Sequence, residues 1–390
     1  MFLSGHSLHS GVKLPSGDRT RLLAQLRTIA AAHFRPGAPP APAPAGAPLS
    51  IPLTTVSLQG NFDAYVSVQF GSGAAAVTDS LLVDSGNAVL IAPNWEDIQP
   101  LPGYTVLGQA TEPWGCPANV VQGPVQLAIE GGGTYTIANC VFYACTGANA
   151  QGQRTANFGT GRLTPWSASS WNTPPGGRVA IQSPLSYDPA YPCASFTYLP
   201  ASRMFSTSPT AQVAAGSAMT LFSGQPAGYT VMKITPNLAW MAVIPQALTV
   251  DGTATDWPGQ GANPIAMVDT GGGPVFLSDP HGYVYDKTWA GATACPAWSS
   301  TSVNCTCVAA PIGITLGDGT TSYTYAIDPA ALPPSVQGLT GVLCQQNAFM
   351  MGQNGMNIGG ISALFNDILI DYAAALVGFR PKQPTDGAST

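Results

Sequence analysis

The chain has 390 residues, of which 13 are Lys or Arg and 19 are Asp or Glu, so only 8% are charged and the formal net charge is −6. An ordinary globular protein carries about 25% charged residues. So few basic groups cannot neutralise a run of phosphates, which excludes nucleic acid as a partner; 45% apolar residues exclude a charge-driven disordered chain.

The charge is unevenly placed. Residues 1–47 hold Lys13, Arg19, Arg21, Arg27 and Arg35 against the single acid Asp18, a net +4, and they contain His6, His9 and His33. The remaining 343 residues hold eight basic and 18 acidic groups, a net −10. Within the leader, residues 16–34 predict a short amphipathic helix. Ser16 or Asp18 caps it, and Leu22, Leu23, Leu26, Ile29 and Ala30 recur at helical spacing. Pro36 ends it, and residues 36–48 read as a stiff Pro/Ala linker of polyproline type. From about Ile51, short runs rich in Val, Ile, Thr and Tyr alternate with Gly, Pro, Asn and Ser clusters. Ala64–Phe70, Ser80–Val83, Val125–Ile129, Ala218–Phe222, Thr230–Ile234 and Tyr323–Ile327 are examples, and the pattern predicts an all-β body of many short strands. Ser362–Tyr372 is the clearest segment of helical period in that body. The expected organisation is a basic leader and linker over 1–50, a first β lobe over 51–209, a second over 210–381, and a tail over 382–390.

Outside the leader the only histidine is His281, which sits in the turn-like Ser278-Asp-Pro-His-Gly282. A multi-histidine metal site is therefore excluded from the body, and a Ser–His–Asp triad could run only through His281. The whole chain has three glutamates, Glu96, Glu112 and Glu130, so aspartates lead the candidates for acid–base chemistry. Eight cysteines in a chain this poor in lysine suit disulfides and an oxidising, extracellular or periplasmic location. Cys305-x-Cys307 and Cys140-x4-Cys145 match zinc-site spacing poorly, and no metal or organic cofactor is expected. No apolar signal core is visible at the start, and no run reaches transmembrane length.

An internal repeat is the most informative feature. Leu82-Val83-Asp84-Ser85-Gly86 leads into the apolar Val89-Leu-Ile-Ala92, and Met267-Val268-Asp269-Thr270-Gly271 leads into Val275-Phe-Leu277. Asp-Ser/Thr-Gly alone is a common turn. Two copies, each between two apolar strands, point to chemistry instead. Two carboxylates meeting at an interface share one proton, so that one serves as base and the other as acid. Gly86 and Gly271 would allow close backbone approach, and the hydroxyls of Ser85 and Thr270 would bond the opposite loop.

On these residues the sequence resembles the pepsin-like aspartic proteases, over about Ile51–Pro381. Asn61-Phe-Asp-Ala-Tyr-Val-Ser-Val-Gln-Phe-Gly71 resembles the strands before the first catalytic loop, and Val83-Asp-Ser-Gly-Asn-Ala-Val-Leu-Ile-Ala-Pro93 the first active-site segment. Leu248-Thr-Val-Asp-Gly252 and Ala266–Leu277 are similar to their second-lobe counterparts. Asn357-Ile-Gly-Gly360, Leu364-Phe365, Ile370-Asp371 and Val377-Gly-Phe379 resemble the C-terminal stretch. The resemblance implies a bilobal all-β fold with a central cleft, Asp84 and Asp269 as catalytic pair, and Ser85, Gly86, Asn87, Thr270, Gly271 and Gly272 as support. It also implies a disulfide of Cys305 or Cys307 with Cys344.

The sequence departs from that family at the residue after each triplet. A Ser or Thr hydroxyl usually bonds the outer aspartate oxygen there. Asn87 still has a donor, whereas Gly272 has only backbone. Trp114 and Gly115, in Glu112-Pro-Trp-Gly-Cys-Pro-Ala118, stand where the family carries a flap tyrosine. Phe158-Gly159-Thr-Gly161 is the expected apolar–Gly element of the first lobe. The basic leader resembles a propeptide, able to lie on an acidic cleft at neutral pH and leave it in acid.

The expectation is thus a monomeric aspartic endopeptidase, working in acid on an extended polypeptide, with no nucleic-acid or membrane partner. The alternatives are a pepsin-fold binding protein with a weak or inactive pair, and a secreted all-β binding module in which both triplets are plain turns. Low charge suits work in acid. Between Ile51 and Phe379 only six Lys or Arg and His281 would remain charged at full protonation, so positive self-repulsion stays small.

Overall fold

The computed structural model describes residues 16–34, 46–58, 61–162, 181–199, 217–235, 241–257, 264–271, 275–278, 293–294, 304–308, 310–331, 342–345 and 355–382. Among the described residues the protein is all-β, with one longer helix, α1 (Ser16–His33), packed on the strands. No helix among the described residues is long and apolar enough to cross a membrane.

The first half of the chain supplies β1 (Leu49–Leu58), β2 (Asn61–Phe70), β3 (Val77–Asp84), β4 (Leu90–Ala92), β5 (Thr105–Thr111), β6 (Pro117–Ala128), β7 (Thr134–Cys145), β8 (Asn157–Gly159) and β9 (Cys193–Thr197). Next come β10 (Ala218–Phe222), β11 (Thr230–Lys233), β12 (Ala242–Val250), β13 (Thr253–Ala254), β14 (Ile265–Met267), β15 (Val275–Ser278) and β16 (Thr293–Ala294). The last are β17 (Asn304–Cys307), β18 (Ile312–Gly317), β19 (Ser322–Ile327), β20 (Val342–Gln345), β21 (Gly355–Asn357), β22 (Asn366–Asp371) and β23 (Leu376–Pro381). Thirteen strands form one sheet in the order β11-β23-β22-β9-β10-β1-β2-β3-β8-β4-β7-β6-β5, and the second sheet is built from β12–β21. The boundary expected at residues 209 and 210 lies outside the described residues. Beyond it, β10 pairs with β1 and β9, and β22 pairs with β9, so strands from both ends of the chain share the first sheet.

The two sheets repeat one strand pattern. In the first, β3 runs parallel to β8, β8 antiparallel to β4, and β4 parallel to β7. In the second, β14 runs parallel to β21, β21 antiparallel to β15, and β15 parallel to β20. Leu82 lies opposite Asn157 and Met267 opposite Asn357, so each triplet leaves its strand at the same point relative to an asparagine. Strands buried on both faces read as continuous apolar runs, and β3 from Asp79 onward, β4, β8 and β14 are buried throughout. One large core unites the sheets. A smaller cluster, containing Val89, Ile91, Cys116, Val120, Tyr143 and Cys145, lies under the β4–β6–β7 surface.

Helix α1 forms where its spacing predicts. It buries Leu26 and Ala30, four residues apart on one face, against β2 and β3. Arg27 Nε donates to Asp79 Oδ1 at 2.8 Å, Ser80 Oγ donates to the Leu26 carbonyl at 3.1 Å, and His33 Nδ1 shares a hydrogen bond with Ser67 Oγ at 2.8 Å. Its described basic contact is therefore with Asp79, five positions before Asp84, and not with the two Asp-Ser/Thr-Gly loops. Burial pushes the Asp79 carboxyl above its ordinary value of 3.8, with Arg27 pulling it back.

The expected helix over Ser362–Tyr372 is mostly a strand. Only Ser362–Phe365 is helical, and β22 follows directly. Every residue of β22 is buried because β9 and β23 pair with it on both sides, which leaves no polar stripe for a surface helix. The described cysteines Cys116, Cys140, Cys145 and Cys193 are buried free thiols. Cys305 lies directly opposite Cys344 between β17 and β20, but both side chains lie outside the described ones.

Candidate active site

The strands β3 and β14 deliver their triplets to a shared point. Thr270 N–H donates to Ser85 Oγ at 2.9 Å, and Ser85 N–H donates to Thr270 Oγ1 at 3.1 Å. Each hydroxyl also donates onward across the interface, Ser85 Oγ to the Val268 carbonyl at 2.8 Å and Thr270 Oγ1 to the Val83 carbonyl at 3.3 Å. This four-bond lattice is reciprocal and buried, so each loop satisfies polar groups of the other.

The glycines of both triplets permit the approach. A Cβ on Gly86 would fall 2.5 Å from the Asp269 carboxyl carbon, and one on Gly271 would fall 2.6 Å from that of Asp84. Each carboxyl therefore rests against the opposite glycine. Gly86 N–H donates to Asp84 Oδ1 at 2.8 Å and Gly271 N–H to Asp269 Oδ1 at 2.9 Å, which turns both Oδ1 atoms toward the interface. Asp84 keeps 4% of its surface exposed and Asp269 keeps 6%, so the pair is nearly enclosed.

The outer oxygens are held by residues that sequence reasoning missed. Asn157 Nδ2 donates to Asp84 Oδ2 at 2.8 Å, and Asn357 Nδ2 donates to Asp269 Oδ2 at 2.6 Å. Both asparagines are buried. They begin Asn157-Phe-Gly159 and Asn357-Ile-Gly359, a second internal repeat that was visible in the sequence. Asn87, expected to serve the outer oxygen of Asp84, instead donates to the Val89 carbonyl at 2.9 Å and to Asn157 Oδ1 at 2.8 Å. It thus orients Asn157, because β8 lies between the Asp84 loop and β4 and reaches the aspartate first.

No protein-family model matches the chain, and no curated protein does.

The backbone around Asp84 is closely packed. Gly159 lies against the Val89 backbone, where a Cβ would be 2.2 Å from the Val89 nitrogen, and Gly161 lies as closely on the Ser85 carbonyl at 2.4 Å. Phe158-Gly159-Thr-Gly161 therefore lies beside the first loop. Thr160 N–H donates to the Asp84 carbonyl at 2.8 Å. Tyr198, which the sequence did not single out, is fully buried nearby. Burial pushes its phenol up, a hydrogen bond with Thr270 works the other way, and the charges of Asp84 and Asp269 add to the rise.

Trp114 and Gly115 sit in the turn that joins β5 to β6, where Gly115 takes a positive φ of 91°. Trp114 packs, half-buried, on the small cluster that includes Val89 and Ile91, just beyond the Asp84 loop. Its amide donates to Glu112 Oε2 at 2.8 Å. Gly272 and His281 lie outside the described residues.

Proposed function

We propose that the protein is a pepsin-like aspartic endopeptidase with a bilobal fold, in which Asp84 and Asp269 share one proton and activate a water. The reading is carried by the mirrored setting of the two carboxyls. Each receives an asparagine on its outer oxygen and a glycine N–H on its inner oxygen, and each lies against the glycine of the opposite loop. The repeated β3-β8-β4-β7 and β14-β21-β15-β20 patterns support the bilobal fold.

Each carboxyl rests against the glycine of the opposite loop, and like charges brought together in this way disfavour double ionisation, so the pair would share one proton. The ionised member takes a proton from the water as it attacks the scissile carbonyl carbon. The protonated member donates to the carbonyl oxygen, giving a neutral gem-diol. The aspartic acid that took the water proton then gives it to the amide nitrogen, while the other carboxylate takes a proton from a gem-diol hydroxyl. The C–N bond breaks, the carboxylic acid and amine leave, and the pair again shares one proton. The substrate is an extended polypeptide, with Trp114 and Gly115 as the covering turn. A small positive charge at full protonation suits an acidic extracellular or periplasmic compartment.

A peptide whose scissile amide is replaced by a secondary alcohol mimics the gem-diol and tests this reading. It should bind the wild type more tightly than the parent amide binds Asp84→Asn, and it should compete with a protein substrate. An alcohol isostere that binds no better than its unmodified amide, across acidic and neutral pH, would sink the assignment.

A further inference from the structure

We propose that Glu112, Cys116 and Cys145 form a site for a thiophilic divalent cation of the zinc class, at the base of the turn that carries Trp114. All three side chains are buried, Glu112 to 2% exposure and both cysteines completely. One carboxylate oxygen and the two sulfurs lie within 4.8 Å of one another. Zinc with thiolates at about 2.3 Å and a carboxylate at about 2.1 Å separates its ligand atoms by roughly 3.3–3.8 Å, so an adjustment of about an ångström closes the set.

The buried acid argues for a cation. A carboxylate at this depth is ordinarily paired with a positive group or bound to a metal. Among the described residues, no basic side chain pairs with Glu112. Its partners are the N–H groups of Trp114 at 2.8 Å and Cys116 at 2.7 Å, and the Thr155 hydroxyl at 3.2 Å. Such donors orient a ligating carboxylate from behind. Further oxygens surround the sulfurs. Thr155 Oγ1 is 3.7 Å and the Gln153 carbonyl 3.3 Å from Cys116 Sγ, and the Thr155 carbonyl is 3.9 Å from Cys145 Sγ. The hydroxyl or a water completes four-coordination. On binding, both thiols release their protons to solvent, and the charges of the cation, two thiolates and carboxylate sum to about −1.

Cys116 and Cys145 are separate thiols in the structure, not a disulfide. Cys145 faces Ala118, two positions beyond Cys116. The ligands come from the turn and from the end of β7, which is why no compact sequence motif marks them. The site is separate from Asp84 and Asp269 and does not depend on their chemistry.

The test uses the full chain, reduced and stripped of metal, titrated with cobalt(II) and then zinc(II) under absorption and native mass spectrometry. One equivalent of cobalt should bind with a thiolate charge-transfer band, and zinc should displace it. Cys145→Ser should abolish the band. Glu112→Gln keeps a carbonyl oxygen for one of the two N–H donors, which bond different carboxylate oxygens, and should bind at least about tenfold more weakly, with circular dichroism reporting the fold. Cys193→Ser should change nothing. The absence of a charge-transfer band in the wild type, a band that survives Cys145→Ser, or isolation of the wild type with Cys116 and Cys145 disulfide-linked would each overturn the proposal. The wild-type titration decides even if a variant fails to fold.

Discussion

Asn157 donates its side-chain amide to the outer oxygen of Asp84 at 2.8 Å, and the amide is itself oriented by Asn87, which donates to Asn157 Oδ1 at 2.8 Å. A donor on a carboxylate favours its ionised form. Asn157→Leu keeps the volume and removes the donor. It should lower kcat at least about tenfold and move the acid limb of the pH profile upward, because ionising the pair becomes harder. Asn357→Leu should act likewise on Asp269. Steady-state rates across pH check this, and a profile unchanged in position would remove Asn157 from the machinery.

Ser85 and Thr270 hold the two loops through four reciprocal bonds. Ser85→Ala leaves the Thr270 N–H and the Val268 carbonyl without a side-chain partner in a buried setting. Each orphaned group costs about 1–3 kcal/mol, so the denaturation midpoint should fall clearly. The double variant Ser85→Ala/Thr270→Ala should fall by less than the sum of the singles, since they share one network. Strict additivity would show that the loops do not interlock.

Gly86 and Gly271 are required for space and not for a positive φ. Gly86→Ala and Gly271→Ala should each abolish activity and destabilise the fold, because the new methyl would overlap the opposite carboxyl. Gly131 has a positive φ of 83° with nothing within 4 Å of a built Cβ, so Gly131→Ala should be mildly destabilising and fully active. Activity and thermal melting together separate the two cases.

The leader helix gives a pH dependence of defined sign. Burial raises the Asp79 carboxyl above 3.8, and Arg27 opposes the rise. A carboxyl that holds its proton more tightly when folded contributes stability that is complete below its unfolded value and is lost as pH rises through its folded value. Arg27→Ala removes the opposing charge and steepens that loss. The variant should therefore melt close to wild type near pH 3 and progressively below it toward about pH 7, by calorimetry. An equal deficit at both ends would show that Arg27 acts through packing alone.

The amphipathic leader, the strands and the paired triplets were legible because each is a local pattern. Leu26 and Ala30 lie four residues apart on the buried face of α1, and Ser85 and Thr270 follow their aspartates directly. What stayed hidden depends on which strand lies beside which. Asn87 neighbours Asp84 in sequence, but β8 brings Asn157 to the outer oxygen instead. Leu364 and Ile368 lie four residues apart, a helical spacing, yet β9 and β23 enclose Ile368 from both sides. Glu112 and Cys145 meet only because β6 and β7 pair.

Hydrolysis decides the role of Asp84 and Asp269. A denatured protein incubated with the wild type between about pH 3 and 7, around the reference carboxylate range, should yield new peptide termini by mass spectrometry. Asp84→Asn and Asp269→Asn, each folded by circular dichroism, should yield none. Cleavage that persists unchanged in either variant, or no cleavage by the wild type after residues 1–47 are removed, would contradict the assignment.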